Sequence, residues 1–242
     1  EDKITRRGFI RDTAAAAALT TAALHGGCPS PSSEVKTKTP AVSKGEPKTP
    51  TPAPAAVKRP SAGGSAKVVL VRNADVLDKR RRPRARVMDA MLDEAVQIIT
   101  GKEGPAAWKA LLRPGDRLGI KSNVWQHLRT PEPLERSIAR RAGWAGLKQD
   151  AVKVDDRGAR KTLADATALI NVRPLRSHHW AGVGGCIKNY IPFVTKPWTY
   201  HPDSCADLGA LWNLPIVKGK TRLNVLLMLT PLFHGRGPHH FA

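Results

Sequence analysis

A change in composition near residue 66 constrains what this chain can fold into. Residues 1–65 consist mostly of Ala, Pro, Thr, Ser and Lys and carry almost no large apolar side chains beyond position 24. Such a segment cannot bury enough apolar surface to offset the entropy that is lost when it becomes ordered. The foldable part of the 242-residue chain is therefore residues 66–242, which is long enough for a single domain with its own core.

The apolar pattern after residue 65 predicts strands that alternate with helices. The predicted strands cover 66–73, 117–124, 150–158, 168–175 and 221–233, and the predicted helices cover 85–101, 105–112, 133–146 and 204–214. This alternation predicts an α/β fold, in which a mostly parallel sheet is flanked by helices. A disordered signal and linker region precedes the predicted domain.

The N-terminal segment TRRGFIRDTAAAAALTTAAL, residues 5–24, has the pattern of a targeting signal. It resembles the twin-arginine export signal at five positions, namely Thr5, Arg6, Arg7, Phe9 and Ile10. Its Ala-rich run is shorter than the ~20 apolar residues that span a bilayer. The resemblance implies that residues 1–28 are a signal peptide, that the twin-arginine translocation machinery is a partner, and that the protein is exported to the periplasm or cell envelope.

Residues 29–65 alternate Pro with Lys, Thr and Ala, which disfavours helix and predicts a disordered linker. The segment 24–28 partly resembles a lipoprotein cleavage site, from which His25 departs. Contact with the membrane is therefore expected only transiently through the signal, or through a lipid on Cys28.

The chain is strongly basic, with 40 Lys and Arg against 20 Asp and Glu and a net charge of +20. The excess is spread along the sequence, and the densest run, residues 79–86, immediately precedes a predicted helix. A solvated turn explains that run. No aromatic residues interleave it and no nucleic-acid module signature is present, so no specific nucleic-acid partner is expected.

Three predicted strands end in polar residues, at 121–123, 155–157 and 176–179. In a parallel sheet the carboxyl ends of the strands meet at one edge, where ligands usually bind. The last of these segments opens the stretch SHHWAGVGGCIKNYIPF, residues 177–193, which combines two histidines, a glycine-rich loop, a cysteine and a Lys-Asn pair.

Three interpretations of this stretch remain open. In the first, imidazole and thiolate groups form a transition-metal site whose ligands are His178, His179, Cys186, His201 and Cys205. In the second, the glycines let backbone N–H groups approach an anionic ligand, and the charge is supplied by Lys121, Arg157, Arg176 and Lys188, with Asn123 and Asn189 orienting it. In the third, the histidines and cysteine satisfy structural contacts and the glycines make turns.

Four segments carry a family resemblance: GIKSNVW at 119–125, VDDRG at 154–158, LINVRPLRSHHWAGVGGCIKN at 169–189, and TYHPDSCADLGAL at 199–211. They resemble a bacterial and archaeal family known as domain of unknown function 362. This chain has Arg176 and Ser122 where the family commonly has Lys and Pro. Family members usually continue beyond the position of residue 242, so the resemblance implies that the 66–242 domain is truncated at its C-terminus.

The same resemblances bear on cofactors. Export of folded proteins would allow a transition metal or an iron–sulfur centre to be inserted in the cytoplasm, and some family members carry such a cluster. This chain has three cysteines and no four-cysteine run, so no cluster is carried over.

The working hypothesis is an exported protein whose strand-end crevice binds an anionic small molecule or a metal. Lys188 would hold the anion, His178 would transfer a proton or bind metal, and Asn189 would orient the ligand, with further contacts from Lys121, Asn123, Asp156, Arg157 and Arg176. The alternative is a non-enzymatic, tethered extracytoplasmic binding protein. The sequence does not decide whether the protein is an enzyme.

Overall fold

The structure is a computed structural model that describes residues 66–178 and 180–232. The predicted signal peptide, the predicted linker, His179 and residues 233–242 lie outside the described residues, so the predictions for them stay predictions.

Five strands form one mixed sheet, whose members are β1 (Leu118–Lys121), β2 (Val152–Asp155), β3 (Ala168–His178), β4 (Gly182–Gly184) and β5 (Thr221–Leu232). Strand β1 pairs in parallel with β2 and with β3, and β3 pairs in parallel with β5. Only β4 runs antiparallel, as a short hairpin on the end of β3. The predicted α/β fold with a mostly parallel sheet is confirmed.

Helices that accompany the sheet in the described residues include α1 (Ala85–Thr100), α2 (Gly104–Leu111), α3 (Glu132–Trp144) and α4 (Ala159–Thr162). In α1 the buried side chains Met88, Leu92 and Val96 recur every four residues and form one apolar face. The helix ends at Gly101, whose φ of 66° lies in the left-handed region that favours glycine. Helices α1 to α3 pack against strands β1 and β3 in a core that covers one face of the sheet.

A second core covers the other face of the sheet. It contains the buried residues Ala159, Leu163, Ala166, Leu169, Tyr190, Phe193, Leu211 and Val217. Ala159 lies in α4, Leu169 lies in β3, and Tyr190, Phe193 and Leu211 lie in two 3-10 helices, Ile187–Phe193 and Ala206–Asn213, while the other three lie in connecting segments. Helical segments therefore flank the sheet on both faces.

Strand alternation places polar side chains on this second face. Successive side chains of a strand point to opposite faces, so residues two apart share a face. In β3, Ile170 and Val172 belong to the first core and Leu169 to the second. Asn171 and Arg173 lie two and four residues after Leu169, so they share its face of the sheet. Lys121 in β1 is paired with Asn171 in the parallel register. The apolar second core thus gives way to a polar layer at the carboxyl ends of the strands.

Two predicted elements were wrong. Residues 66–73 form no strand, because Val68 and Leu70 are 88% and 56% exposed and the apolar run has no surface to pack against. The predicted helix over 204–214 is a short turn, Pro202–Cys205, followed by the 3-10 helix Ala206–Asn213.

The basic run was interpreted correctly, since Arg80, Arg81 and Arg82 are exposed in a turn before α1. Within the described residues, no helix has the length and apolar character to cross a membrane.

The close contact between β1 and β3 generates a stability prediction. A Cβ added at Gly119 would lie 2.8 Å from Cδ2 of the fully buried Leu169 and 3.2 Å from Cβ of Ala166. Gly119→Ala should therefore lower the free energy of unfolding by about 1–3 kcal/mol, as overpacking of a core does. Gly115→Ala is the matched control, because open space surrounds that position, and it should change the free energy by less than about 0.5 kcal/mol. Equal effects in urea denaturation would contradict the packing argument.

Candidate functional site

A buried ion pair closes the carboxyl ends of β1 and β2. Lys121 Nζ lies 2.5 Å from Asp156 Oδ1, and the two side chains are 0% and 7% exposed. The ammonium also donates to the carbonyl of Ser122 at 2.7 Å, while Asp156 Oδ2 accepts the N–H of Val124 at 2.8 Å. Burial lowers the pKa of Lys121 to about 8, and the attraction of Asp156 opposes that shift. Both charges are committed to partners within the protein.

A directional chain of four side-chain amides crosses the sheet beside this pair. Asn123 Nδ2 donates to Asn189 Oδ1 at 3.0 Å, and Asn189 Nδ2 donates to Asn171 Oδ1 at 2.8 Å. Asn171 Nδ2 then donates to Asn224 Oδ1 at 2.9 Å. The chain connects Asn123, which follows β1, with strands β3 and β5 and with the 3-10 helix Ile187–Phe193 that follows the glycine-rich loop.

Asn189 occupies the centre of that chain and is 2% exposed. Its Nδ2 group also donates to the backbone carbonyls of Lys121 and Val172, both at 3.1 Å. The amide of Asn189 is therefore used within the protein. We assign Asn189 to positioning the loop, in place of the predicted contact with a ligand.

Arg173 carries a buried cation whose hydrogen-bonding capacity is only partly used. The residue is 1% exposed, and Nη1 donates to the carbonyl of Gly185 at 3.1 Å. Its Nε and Nη2 atoms have no hydrogen-bond partner among the described residues. These two N–H groups lie on one edge of the guanidinium, which is the edge that holds a carboxylate or phosphate through two parallel hydrogen bonds.

Other cations surround Arg173 and leave the region with excess positive charge. Burial lowers the pKa of Arg173 and of Arg176 to about 10, and Arg176 lowers that of Arg173 further by repulsion. Burial also lowers the pKa of Lys188 to about 8, and both arginines contribute to that shift. With Lys121 there are four cationic side chains, against the carboxylates of Asp155 and Asp156. Such a balance favours an anionic ligand.

Arg176 is held in place by two contacts. Its Cζ atom lies 4.2 Å from the centre of the Trp125 ring, which is a cation–π arrangement. Its Nη1 atom donates to Asn123 Oδ1 at 3.3 Å. The guanidinium is thereby fixed next to the amide chain.

Imidazole and indole rings form another part of the region. Lys188 Nζ lies 2.9 Å from His201 Nε2. The His201 ring stacks on His178 at a centroid distance of 5.8 Å and contacts Trp180 at 4.7 Å. The N–H of Ala181 donates to His178 Nδ1 at 3.3 Å, so that nitrogen is an acceptor. Residues 178, 188 and 201 therefore belong to one cluster, as the anion interpretation expects for His178 and Lys188.

The glycine-rich loop has a packing reason for one of its glycines. A Cβ at Gly184 would lie 3.1 Å from Arg173 Nη2, so a side chain there would press on the buried guanidinium. Gly182 has a φ of 69°, which suits glycine in the hairpin between β3 and β4. The sequence predicted that these glycines let the backbone approach a ligand, and in the structure they let it approach an arginine.

The predicted metal ligands do not converge in the described part of the chain. Among residues 66–178 and 180–232, no three His, Cys, Asp or Glu side chains are grouped to hold a metal ion. No regular helix joins His201 to Cys205, because Asp203, Ser204 and Cys205 all have positive φ. Cys186 and Cys205 are free thiols, and burial raises the pKa of Cys186. Since His179 lies outside the described residues, the five-ligand site stays a prediction.

Most of the predicted ligand-binding residues come together, and three participants were missed. Arg157 is exposed, and no contact joins it to the cluster among the described residues. The missed residues are Asn171, Arg173 and Asn224. The signal for Asn171 and Arg173 was present in LINVR, residues 169–173, where polar residues interrupt an apolar strand at a period of two.

The comparisons with known proteins identify no relative. No protein-family model, no curated protein and no solved structure matches the chain. The resemblance to the domain of unknown function 362 family stays a prediction from the motifs.

The buried ion pair generates the prediction for this site. Asp156→Asn keeps the shape of the side chain but leaves the ammonium of Lys121 without its counter-charge, so the free energy of unfolding should fall by about 3–5 kcal/mol. Asp165→Asn is the matched control, because the pair of Asp165 with Lys153 is about half exposed and its loss should have a much smaller effect. Chemical denaturation at pH 7 measures both. A small effect at position 156 would mean that the pair is hydrated.

Proposed function

We propose that the strand-end region binds a small oxyanion, a carboxylate or a phosphoryl group. The observation that carries the proposal is the buried Arg173 guanidinium, which presents two unpaired N–H groups on one edge. A buried cation with unpaired N–H groups destabilises a fold, so its presence requires a reason even though Asp156 attracts it. A ligand that offers two coplanar or near-coplanar oxygens would satisfy both N–H groups at once.

The neighbouring charges support an anion more than any other ligand. The oxygens of Asp156 already accept hydrogen bonds from Lys121 and Val124, so this carboxylate does not neutralise Arg173 directly. Arg176 and Lys188 are only partly buried and can reach a ligand that enters from solvent. Arg173 would hold the oxyanion, and Arg176 and Lys188 would add attraction. An enzyme and a non-enzymatic binding protein would use such a site alike.

Binding is tested by thermal denaturation of the full chain in phosphate, pyruvate, acetate or chloride at equal ionic strength. A ligand at a hundred times its dissociation constant stabilises by about 2.7 kcal/mol. At least one oxyanion should raise the melting temperature above chloride. Because a hydrogen bond to a charged group contributes about 1.5–3 kcal/mol, Arg173→Met should weaken binding by about 10- to 100-fold. An identical shift in wild type and Arg173→Met would indicate general screening of the basic surface.

The ligand-free stabilities of two arginine variants give a second test. Arg141 is also buried, but its guanidinium is paired with Asp93. Arg141→Met should lower the free energy of unfolding by about 2–3 kcal/mol, because it leaves the carboxylate of Asp93 without its counter-charge. Arg173→Met should leave the free energy unchanged or raise it, because it removes a buried charge whose N–H groups are only partly satisfied. Equal destabilisation by both substitutions would show that Arg173 is a structural residue, and the anion site would lose its basis.

We further propose that the protein acts after export by the twin-arginine route, which is supported by Thr5, Arg6, Arg7, Phe9 and Ile10. In a bacterial host with that pathway, replacing Arg6 and Arg7 together by Lys should retain the chain in the cytoplasm, although the charge is unchanged. Arg11→Lys is the matched control and should leave export unaffected. Cell fractionation with immunoblotting measures the distribution, and periplasmic accumulation of the double variant would refute the signal assignment.

A further inference from the structure

A cleft of about 400 Å³ lies on the outer side of the second core. Its lining residues come from α4, from the segment 193–196, from the 3-10 helix Pro197–Tyr200, and from Leu214. None of the side chains assigned to the proposed oxyanion site lines it. Ligand pockets in proteins commonly have volumes of about 300–1,000 Å³, so the cleft has room for a small molecule.

The deeper part of the cleft is apolar. Phe193 is 5% exposed and belongs to the second core, and the partly buried side chains of Val194, Tyr200 and Leu214 pack against that core. A ligand that covers these side chains removes apolar surface from water, which is favourable. This part of the cleft therefore favours a ligand with an aromatic or aliphatic body.

The rim of the cleft carries positive charge. Arg160 and Lys196 line the cleft and are exposed, and no Asp or Glu is among the lining residues. Within residues 66–178 and 180–232, neither of these two cations forms an ion pair. Thr199 Oγ1 donates to the backbone carbonyl of Lys196 at 2.8 Å, which holds the turn that carries the lysine. The rim therefore favours a ligand with a negative group.

We propose that this cleft binds a small amphipathic anion, an aromatic or aliphatic molecule that carries one carboxylate or sulfonate group. The body of the ligand would cover Phe193, Tyr200 and Leu214, and its charged group would lie at the rim with Arg160 and Lys196. An inorganic anion lacks the body and a neutral apolar molecule lacks the charge, so both should bind more weakly. The inference stands independently of the oxyanion site, because the two sites share no assigned residue.

Fluorescence titration of the full chain with two probes tests the proposal. The first probe is 8-anilinonaphthalene-1-sulfonate, and the second is N-phenyl-1-naphthylamine, which has the same aromatic body without the sulfonate. The double variant Arg160→Gln with Lys196→Gln should bind the sulfonate probe about 3- to 20-fold more weakly than the wild type, because two exposed ion pairs are lost. Its affinity for the neutral probe should stay at the wild-type value.

The matched control is Lys79→Gln with Arg80→Gln. This double variant removes the same two charges from the exposed turn before α1, so it should leave the affinity for the sulfonate probe unchanged. Equal weakening by both double variants would show that the probe responds to net charge, and the inference would be overturned. The absence of saturable binding of the sulfonate probe to the wild type would overturn it as well.

A variant that fills the cleft tests the location directly. Thr195 lines the cleft and is exposed, so Thr195→Trp should occupy the space without disturbing the core and should abolish binding of both probes. Thr195→Ser keeps the space open and should bind like the wild type. Binding that survives Thr195→Trp would place the probes elsewhere. Binding that is lost with Arg173→Met and not with the cleft variants would place the sulfonate at the oxyanion site, and either result would overturn the inference.

Discussion

The amide of Asn189 is the constraint on which the arrangement of this region depends. Its donor reaches the backbone of β1 at Lys121 and of β3 at Val172, and its acceptor is held by Asn123. Both N–H groups of this amide are used within the protein, and its carbonyl oxygen accepts one hydrogen bond. The loop after the glycines is thereby fixed to β1 and β3, and the positions of Cys186, Lys188 and the 3-10 helix that follows are determined with it.

A fixed loop explains how a buried arginine can be tolerated. Gly184 lies so close to Arg173 Nη2 that an added Cβ would press on the guanidinium, and the carbonyl of Gly185 accepts from Nη1. The loop therefore covers the guanidinium and satisfies one part of it, while leaving the edge formed by Nε and Nη2 unpaired. Arg141 shows what the same chain does with a buried arginine that has only a structural role, because Asp93 and Ser137 receive its N–H groups. The two arginines therefore differ in that the N–H groups of Arg141 are paired, whereas one edge of the Arg173 guanidinium has no hydrogen-bond partner among the described residues.

The sequence predicted the fold class and the edge of the sheet at which polar groups collect, because strand alternation and strand ends are local features. It identified Lys121, Asn123, Asp156, Arg176 and Lys188 for the same reason. Asn171 and Arg173 were missed because they lie inside an apolar strand, and only the pairing of β3 shows that their face leaves the core before the strand ends. The prediction of a strand over 66–73 was wrong because a β-branched run indicates a preference for extended backbone but does not show that a neighbouring strand is there to pair with it. The turn at 203–205 could not be read from residue types, since its positive φ values occur at non-glycine residues.

Burial separates the cations of this region from the rest of the basic chain. Desolvation lowers the pKa values of Lys121, Arg173, Arg176 and Lys188, because each cation has lost part of its hydration. The arginines of the run before α1 are exposed and keep that hydration. The favourable free energy that water supplies to those exposed charges has to be supplied here by partners within the protein or by a ligand. For Arg173 the partners among the described residues are incomplete, because Nε and Nη2 have none.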